Sequence, residues 1–173
     1  TLQYIADGQA DFGICSTLDL ESADFEFSNP TRREMVLYLP SSHPLAYDAS
    51  GLKYNEEFPA ISLQKLDHID FMMPTEEMSY YSGLISLFQK RGIRPQILFQ
   101  SANVGVLYKM VLQGNGAAIL PRSLFSPLDP VSPFSLRPKF IIYSVLAYKK
   151  GKILTPAQEL VRTLICEQFE ISD

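Results

Sequence analysis

The apolar residues of this chain alternate between short continuous runs and helical spacing. Continuous runs of about four to eight apolar residues are typical of buried strands, and spacings of three and four are typical of amphipathic helices. Strands are predicted at residues 10–14, 35–40, 69–73, 96–100, 117–120 and 139–148. Because predicted helices separate most of these strands, the pattern predicts an α/β fold with parallel strands.

The predicted helices are bounded by residues that commonly begin or end helices. The chain opens with the last turns of an amphipathic helix closed by Gly8. A longer helix begins at Ser79 or a neighbour and stops at Gly92, and Ser101 is expected to cap the next helix, which Gly114 ends. Two full helices are therefore predicted between strands in the middle of the chain.

The C-terminal part combines a proline-rich segment with a terminal helix. Residues 126–138 contain four prolines and are expected to be irregular. The helix that follows starts at a capping box, TPAQ at residues 155–158. Its expected apolar face consists of Leu160, Val161, Leu164, Ile165 and Phe169.

Composition and charge limit the class of protein. The 173 residues are 46% apolar and 20% charged, as in an ordinary soluble globular protein. The net charge of -4 provides no basic surface of the kind that binds nucleic acid. No stretch approaches the roughly 18 to 20 apolar residues needed to cross a bilayer. The sequence therefore excludes a membrane-spanning protein and disfavours nucleic-acid binding by this chain alone.

Side chains suited to catalysis are few. The chain has two cysteines, Cys15 and Cys166, and two histidines, His43 and His68. Cys15 with either histidine would make a thiolate pair, but a lone cysteine at the end of a buried strand is more simply a small core residue. The cysteines and histidines do not have the spacing of a metal site. We therefore expect two free, buried thiols in a reducing compartment, and no enzymatic activity, metal or cofactor.

Gly114 and Gly116 have part of the pattern of a phosphate-binding loop. They follow a predicted helix and precede a predicted strand, which is the reverse of the order that directs a helix N-terminus at a phosphate. We expect Gly114 to stop the helix and Gly116 to permit a tight turn into the strand.

Three stretches, read in order, are similar to the motifs of one family. Residues 2–14 (LQYIADGQADFGI) resemble its helix-to-strand element "L…L..G..D.GI", and residues 34–46 (EMVLYLPSSHPLA) resemble its strand followed by "HPLA". Residues 111–121 (VLQGNGAAILP) resemble "V..G.G...LP", and GIRP at residues 92–95 adds to the match. Over nearly its whole length, the chain resembles the effector-binding domain of LysR-type transcriptional regulators.

The resemblance implies an α/β fold of two lobes, the type II periplasmic-binding-protein-like fold, with two crossover strands. The first lobe would consist of residues 1–40 and 140–173, and the second of residues 41–139. Measured against the family, the first lobe is incomplete, because its opening strand and most of its first helix precede the start of this sequence. The DNA-binding helix-turn-helix of the family also precedes that point.

The resemblance further implies a small-molecule effector in the cleft between the lobes. The implied effector-binding residues are Cys15, Ser16 and Thr17 after the first strand, Thr75, Met78, Ser79 and Tyr80 before a helix, and Ser101, Asn103 and Val104 at the start of the next. Strand ends and helix starts are where open α/β sheets bind ligands. Four of these residues also have a plain structural alternative: Ser79 and Ser101 as helix caps, Tyr80 and Val104 as packing residues.

The family comparison also implies partners and a location. A LysR-type regulator is expected in the cytoplasm, as a homodimer or homotetramer, away from the membrane, and it contacts DNA only through its helix-turn-helix. Two other classes share the two-lobe plan: the solute-binding protein of a transporter, and an enzyme similar to prephenate dehydratase. An upstream helix-turn-helix would favour the regulator, and a leader peptide the transporter protein.

Overall fold

The computed structural model describes residues 1–53, 56–66 and 69–170. The chain forms two compact units. Unit 1 consists of Thr1–Arg33 and Ile142–Asp173, and unit 2 consists of Glu34–Ile141. Two long strands, Phe25–Pro40 and Val131–Lys149, each contribute residues to both units and so connect them along the chain.

Eleven helices and strands make up the described residues. In chain order they are α1 (Leu2–Ala6), β1 (Gly13–Thr17), β2 (Phe25–Pro40), β3 (Ala60–Ser62), β4 (Asp70–Pro74), α2 (Tyr81–Lys90), β5 (Gln96–Ser101), α3 (Val104–Leu112), β6 (Ala118–Pro121), β7 (Val131–Lys149) and α4 (Pro156–Glu170). Short 3-10 turns occupy Leu63–Leu66 and Arg122–Leu124. None of the helices in the described ranges is long and apolar enough to cross a membrane.

Unit 2 contains both parallel and antiparallel pairing. β4 and β5 run parallel, β3 runs parallel to β7, and β6 runs antiparallel to β2. A bridge between Phe71 and Ala117 brings the start of β6 against β4, and α3 packs on β4, β5 and β6. Buried apolar side chains from these elements, among them Tyr38, Leu107 and Leu120, form a continuous core. β4 therefore packs against a continuous apolar core, to which β5 contributes no buried side chain.

Unit 1 has a smaller apolar core. β1 pairs antiparallel with the C-terminal part of β7, from Gly13 opposite Ala147 to Thr17 opposite Tyr143. Its buried apolar side chains are Ile5, Ile142, Val145, Leu146, Ala147 and Tyr148. On α4, the predicted capping box is confirmed, because the Thr155 N–H donates to Gln158 and the Gln158 N–H donates to the Thr155 hydroxyl.

The apolar face predicted for α4 is largely exposed. Leu160 is 61% exposed, Val161 46% and Leu164 51%. Ile165 is half-buried, and the side chain of Phe169 lies outside the described part of the structure. The terminal helix is therefore confirmed, but the residues predicted as its apolar face cover little of the core of unit 1 as described.

Two segments for which no strand was predicted are strands. Residues 25–28 belong to β2, and residues 131–138 belong to β7. The first was missed because β2 is only half-buried there and its sequence lacks an apolar run. The second was missed because a proline is accommodated in a strand wherever its nitrogen is not needed as a donor. Pro133 and Pro138 lie outside the residues of β7 that pair with β3 and β1.

Candidate functional site

Seven of the ten predicted site residues lie in unit 2, around the carboxyl ends of β4 and β5. Pro74 pairs with Ser101 as the last residue of each strand. The Gln100 side-chain amide donates to the Pro74 carbonyl at 3.3 Å, which ties the two ends together. Thr75 and Ser101 therefore lie at the same edge, where parallel sheets commonly bind ligands.

The loop from β4 to α2 folds as two consecutive turns. The Met78 N–H donates to the Thr75 carbonyl at 3.0 Å, and the Tyr81 N–H donates to the Met78 carbonyl at 2.9 Å. Ser79 is exposed and Met78 is half-buried. Tyr80 is the N-cap residue of α2, and its side chain makes no capping hydrogen bond. The helix thus starts beside Ser79, as predicted, without a side-chain cap.

Two hydroxyl groups of this loop are buried without a partner. Thr75 Oγ1 and Tyr80 OH are inaccessible to solvent, and neither has a hydrogen-bond partner among the described residues. Tyr80 is 2% exposed, and its burial raises the pKa of the phenol to about 12, so it stays protonated at neutral pH. Leaving a buried hydroxyl unpaired costs about 1–3 kcal/mol. A ligand group that paired with either oxygen would recover part of that cost.

Asn103, rather than Ser101, caps α3. The Asn103 side-chain oxygen accepts from the Gly105 N–H at 2.9 Å and from the Val106 N–H at 3.3 Å. Ser101 Oγ instead accepts from the Asn103 N–H at 3.0 Å. The cap prediction for Ser101 was wrong because β5 continues through Ser101, which moves the start of the helix to Val104. Asn103 is exposed and Val104 is half-buried.

Replacing Asn103 with alanine is expected to lower the free energy of unfolding by about 1 kcal/mol, because two N–H groups of the first turn lose their acceptor. Asn103→Asp keeps an acceptor and is the matched control, with wild-type stability expected. Urea denaturation followed by circular dichroism measures both. Equal stability of the alanine variant and the wild type would contradict the capping role.

Cys15, Ser16 and Thr17 lie within β1 of unit 1, whereas the sequence placed them in the loop after it. The predicted strand at residues 10–14 is displaced because Gln9 and Ala10 still donate their N–H groups to the Tyr4 carbonyl at the end of α1. In β1, these three residues lie opposite Val145, Ser144 and Tyr143 of β7.

Local contacts account for the Thr17 side chain, and burial accounts for the protonation state of Cys15. Thr17 Oγ1 donates to the Asp19 carbonyl at 2.7 Å and accepts from the Asp19 N–H at 3.2 Å. Burial raises the pKa of the Cys15 thiol, so Cys15 is protonated at neutral pH. Cys15 and Cys166 are both free and half-buried, as two unpaired thiols.

Family comparison identifies the domain. Residues 1–170 match the model described as the LysR substrate binding domain. The chain belongs to this family. The match covers both units and all ten predicted site residues.

Curated relatives of this LysR-family domain are HTH-type transcriptional regulators. TdcA of Escherichia coli K12 is 24% identical over 127 residues, which are 73% of this chain and 37% of TdcA. YybE of Bacillus subtilis 168, named as an uncharacterised HTH-type transcriptional regulator, is 22% identical over 171 residues, 97% of this chain and 54% of YybE. The chain thus spans between about a third and about half of the length of these relatives.

Solved structures share the fold of this LysR-family domain. The effector binding domain of QuiR in complex with shikimate has a TM-score of 0.78 at 21% identity, over 99% of this chain and 77% of that one. The regulatory domain of Synechocystis CcmR in complex with 2-PG has a TM-score of 0.79 at 14% identity, over 96% and 76%. The α/β, type II periplasmic-binding-protein-like fold class predicted from the resemblance is therefore confirmed.

The groups considered for catalysis in this LysR-family domain have local roles. His43 lies in the turn after β2, in unit 2, where its Nδ1 accepts from the Leu45 N–H at 3.1 Å. Burial lowers the pKa of His43 and raises that of Cys15, so neither is in the charged state that a thiolate pair requires. His68 lies outside the described residues. Over residues 1–53, 56–66 and 69–170, no cluster of three or more His, Cys, Asp or Glu side chains is arranged to hold a metal.

Gly114 and Gly116 form the predicted turn from α3 to β6. Both have positive φ, at 84° and 139°. A Cβ added at Gly116 would lie 2.6 Å from the Asp70 carbonyl oxygen and 3.0 Å from Met72 Cε. The turn is thus packed against β4, the strand that leads to Thr75.

The sequence does not reveal a cluster of charged and polar side chains around Glu34. Glu34 is the first residue of unit 2, and its carboxylate pairs with Arg122 at 3.2 Å and accepts from the Ser135 hydroxyl at 2.9 Å. Lys139 lies 3.6 Å from the same carboxylate. The partners are 88 and 101 positions away in the chain for Arg122 and Ser135, so no local pattern reveals them.

Proposed function

We propose that this chain is the effector-sensing domain of a LysR-type transcriptional regulator. A small molecule binds in the cleft between the two lobes and shifts the conformation that controls promoter binding. The observation that carries this proposal is the pair of buried, unpartnered hydroxyls, Thr75 and Tyr80, at the carboxyl edge of β4 in a domain of this family. The two units correspond, in this proposal, to the two lobes of the family.

The proposed effector-binding residues come from three short stretches. They are Cys15, Ser16 and Thr17 on β1, Thr75, Met78, Ser79 and Tyr80 before α2, and Ser101, Asn103 and Val104 between β5 and α3. Hydroxyl and amide groups predominate, and Tyr80 supplies a protonated phenol as a hydrogen-bond donor. Such groups would fix a small polar molecule by hydrogen bonds at fixed positions.

The ligand acts by favouring one conformation over another. It must bind one arrangement of the lobes more tightly, and a difference of about 1–3 kcal/mol is typical of such coupling. No bond is made or broken in this scheme, so the domain is a sensor and no enzyme. In the whole regulator, DNA contact belongs to the helix-turn-helix of the family, and the protein acts in the cytoplasm. The match to regulators favours this proposal over a transporter's solute-binding protein.

Thermal shift measurements test effector binding directly. The probes are shikimate and 2-PG, then a panel of small organic acids, sugars and amino acids, with sodium sulfate as the control for simple anion binding. We expect a saturable rise in Tm with at least one organic compound, because a ligand that binds only the folded state stabilises it. A response to sulfate alone, or to no compound, would contradict the proposal.

Tyr80→Phe separates the ligand contact from the fold. Without ligand, the variant is expected to be as stable as the wild type or more stable by about 1 kcal/mol, because it removes a buried hydroxyl that has no partner. With a compound found in the thermal shift panel, calorimetry is expected to show affinity reduced by about tenfold. Thr75→Val is the companion variant at the other hydroxyl.

Glu77→Gln is the control for these two variants, since Glu77 is exposed in the same loop and is not among the proposed effector-binding residues. Wild-type affinity is expected for it. A Tyr80→Phe variant that loses stability in the absence of ligand would show that the phenol already has a partner in the protein.

We further propose that the domain forms a homodimer through β5 and α3. In the described part of the chain, β5 pairs on one side only, with β4. Ile97, Leu98 and Phe99 on this strand are 40–49% exposed, and Val106 on α3 is 38% exposed. A row of exposed apolar side chains on a free strand edge is a surface that pairing would cover.

Leu98→Lys is expected to convert a dimer into a monomer in sedimentation velocity, because the lysine charge would be buried in the interface. Leu128→Lys is the matched control, since Leu128 is 94% exposed in the loop before β7. A wild-type monomer at high micromolar concentration, or equal effects of both variants, would contradict the dimer proposal.

A further inference from the structure

Glu34 joins three elements of unit 2 through one carboxylate. Its side chain is only 13% exposed, and it contacts Arg122 after β6 and Ser135 and Lys139 on β7. Ser135 is fully buried. A carboxylate removed from water is stabilised when several donors surround it, and this one has two cations and a hydroxyl.

Arg122 extends the cluster beyond Glu34. Its guanidinium lies 3.8 Å from the centre of the Phe58 ring and also donates to the Glu56 carbonyl. The Phe58 ring packs edge-on against Phe125 at 5.1 Å. The Phe58 ring and the Glu56 carbonyl therefore hold the Arg122 guanidinium in place beside Glu34.

At this cluster, both connecting strands change from buried residues to exposed or half-buried ones. On β2, residues 35–39 after Glu34 are completely buried, and residues 25–33 before it are half-buried or exposed. On β7, residues 131–136 are buried and residues 137–139 are exposed. Glu34 thus fixes β2 and β7 at the points where each leaves the packed core of unit 2.

A chain of contacts leads from the proposed effector site to this cluster. The Met72 N–H on β4 donates to the carbonyl of Ala117, the residue directly before β6, at 2.7 Å. β6 pairs with β2 and ends at Pro121, so Arg122 follows directly and reaches Glu34. A shift of β4 next to Thr75 would therefore move β6 and, through Arg122, the part of β2 that contains Glu34.

We propose that Glu34 is a positioning residue that fixes the unit 2 ends of both connecting strands to β6. Through this clamp, a change at the β4 edge alters the strands that continue into unit 1. The inference rests on the proposed sensing function for its biological meaning. The mechanical claim, that Glu34 sets the distribution of distances between the units, is tested without any ligand.

Distances between spin labels provide the test. Cys15 and Cys166 are replaced by serine so that they do not react with the spin label. Labels are then attached to cysteines introduced in place of Gln89 on α2 and Glu167 on α4, which are both exposed. We expect Glu34→Gln to change the relative populations within the distribution of label-to-label distances by about threefold or more, the scale on which mutations modulate coupling. Glu57→Gln is the control, because Glu57 is 65% exposed and pairs with the same Lys139 and with Arg137 without joining the buried cluster. That control is expected to keep the parent distribution.

Two results would overturn the inference. One is a distance distribution for Glu34→Gln that matches that of the labelled protein with Glu34. Even with a lower Tm, that result would mean that Glu34 only stabilises the fold. The other is an equal change in Glu57→Gln. If Glu34→Gln does not fold, Lys139→Met removes one partner on β7 and is compared with the same control, with an unchanged distribution counting against the proposal. A changed distribution together with a failed ligand screen would keep the clamp and reject the sensing function.

Discussion

Backbone amides in β1 and α4 are expected to exchange with solvent at least about a hundredfold faster than those at residues 35–39 of β2. Residues 35–39 are completely buried in the core of unit 2. By contrast, Leu160 and Leu164 of α4 are 61% and 51% exposed, and β1 pairs with β7 alone in the described chain. Few buried contacts hold unit 1 together, so local opening there should require less free energy.

Hydrogen exchange with mass spectrometry measures this difference on peptides from each unit. The experiment is run at a protein concentration where sedimentation shows a monomer, so that association does not protect either unit. Peptides covering β4 and α3 serve as internal controls for the packed core. Uniformly high protection across both units of the monomer would reject the expected difference.

Gly116→Ala is expected to lower the free energy of unfolding by at least about 3 kcal/mol. Two costs add at this position. The φ of 139° is one that residues with a Cβ rarely adopt, and the new Cβ would lie 2.6 Å from the Asp70 carbonyl oxygen. Because both atoms belong to the backbone or are attached to it, the clash can be relieved only by moving β4 away from the turn.

Gly92→Ala is the matched control for the backbone term. Gly92 has a φ of 66°, and no heavy atom lies within 4 Å of the position its Cβ would take. The expected loss is about 1 kcal/mol, the cost of a left-handed conformation alone. Urea denaturation measures the free energy of unfolding of both variants. Similar losses for the two would show that the close approach to Asp70 does not contribute to the effect at Gly116.

The middle of the chain was the part most readily predicted. β4 follows from its buried apolar run, and α2 follows from the helical spacing that buries Leu84 and Phe88. The first half of β2 lacks such a signal, since its residues are half-buried and its strand form depends on pairing. The start of β7 was hidden by prolines that the strand accommodates.

The candidate site was predicted in part for the same reason. Thr75 and Tyr80 stand at a strand-to-helix junction, which sequence can locate. The role of Ser101 depended on a strand end one residue later than predicted, which moved the cap to Asn103. Glu34 was not found because its partners come from the distant Arg122 and Ser135, and only the folded chain brings them together.

The close approach of Gly116 to the Asp70 carbonyl also explains why the motif at residues 111–121 has a glycine at this position. Gly116 belongs to the stretch at residues 111–121 that resembles the LysR pattern, and it is glycine because a neighbouring backbone leaves no room for a side chain. Thr75, Tyr80 and Asn103 all lie outside the three motif stretches. The stretches by which the chain resembles the family thus include positions set by packing of the fold, and the residues proposed to contact the ligand lie elsewhere.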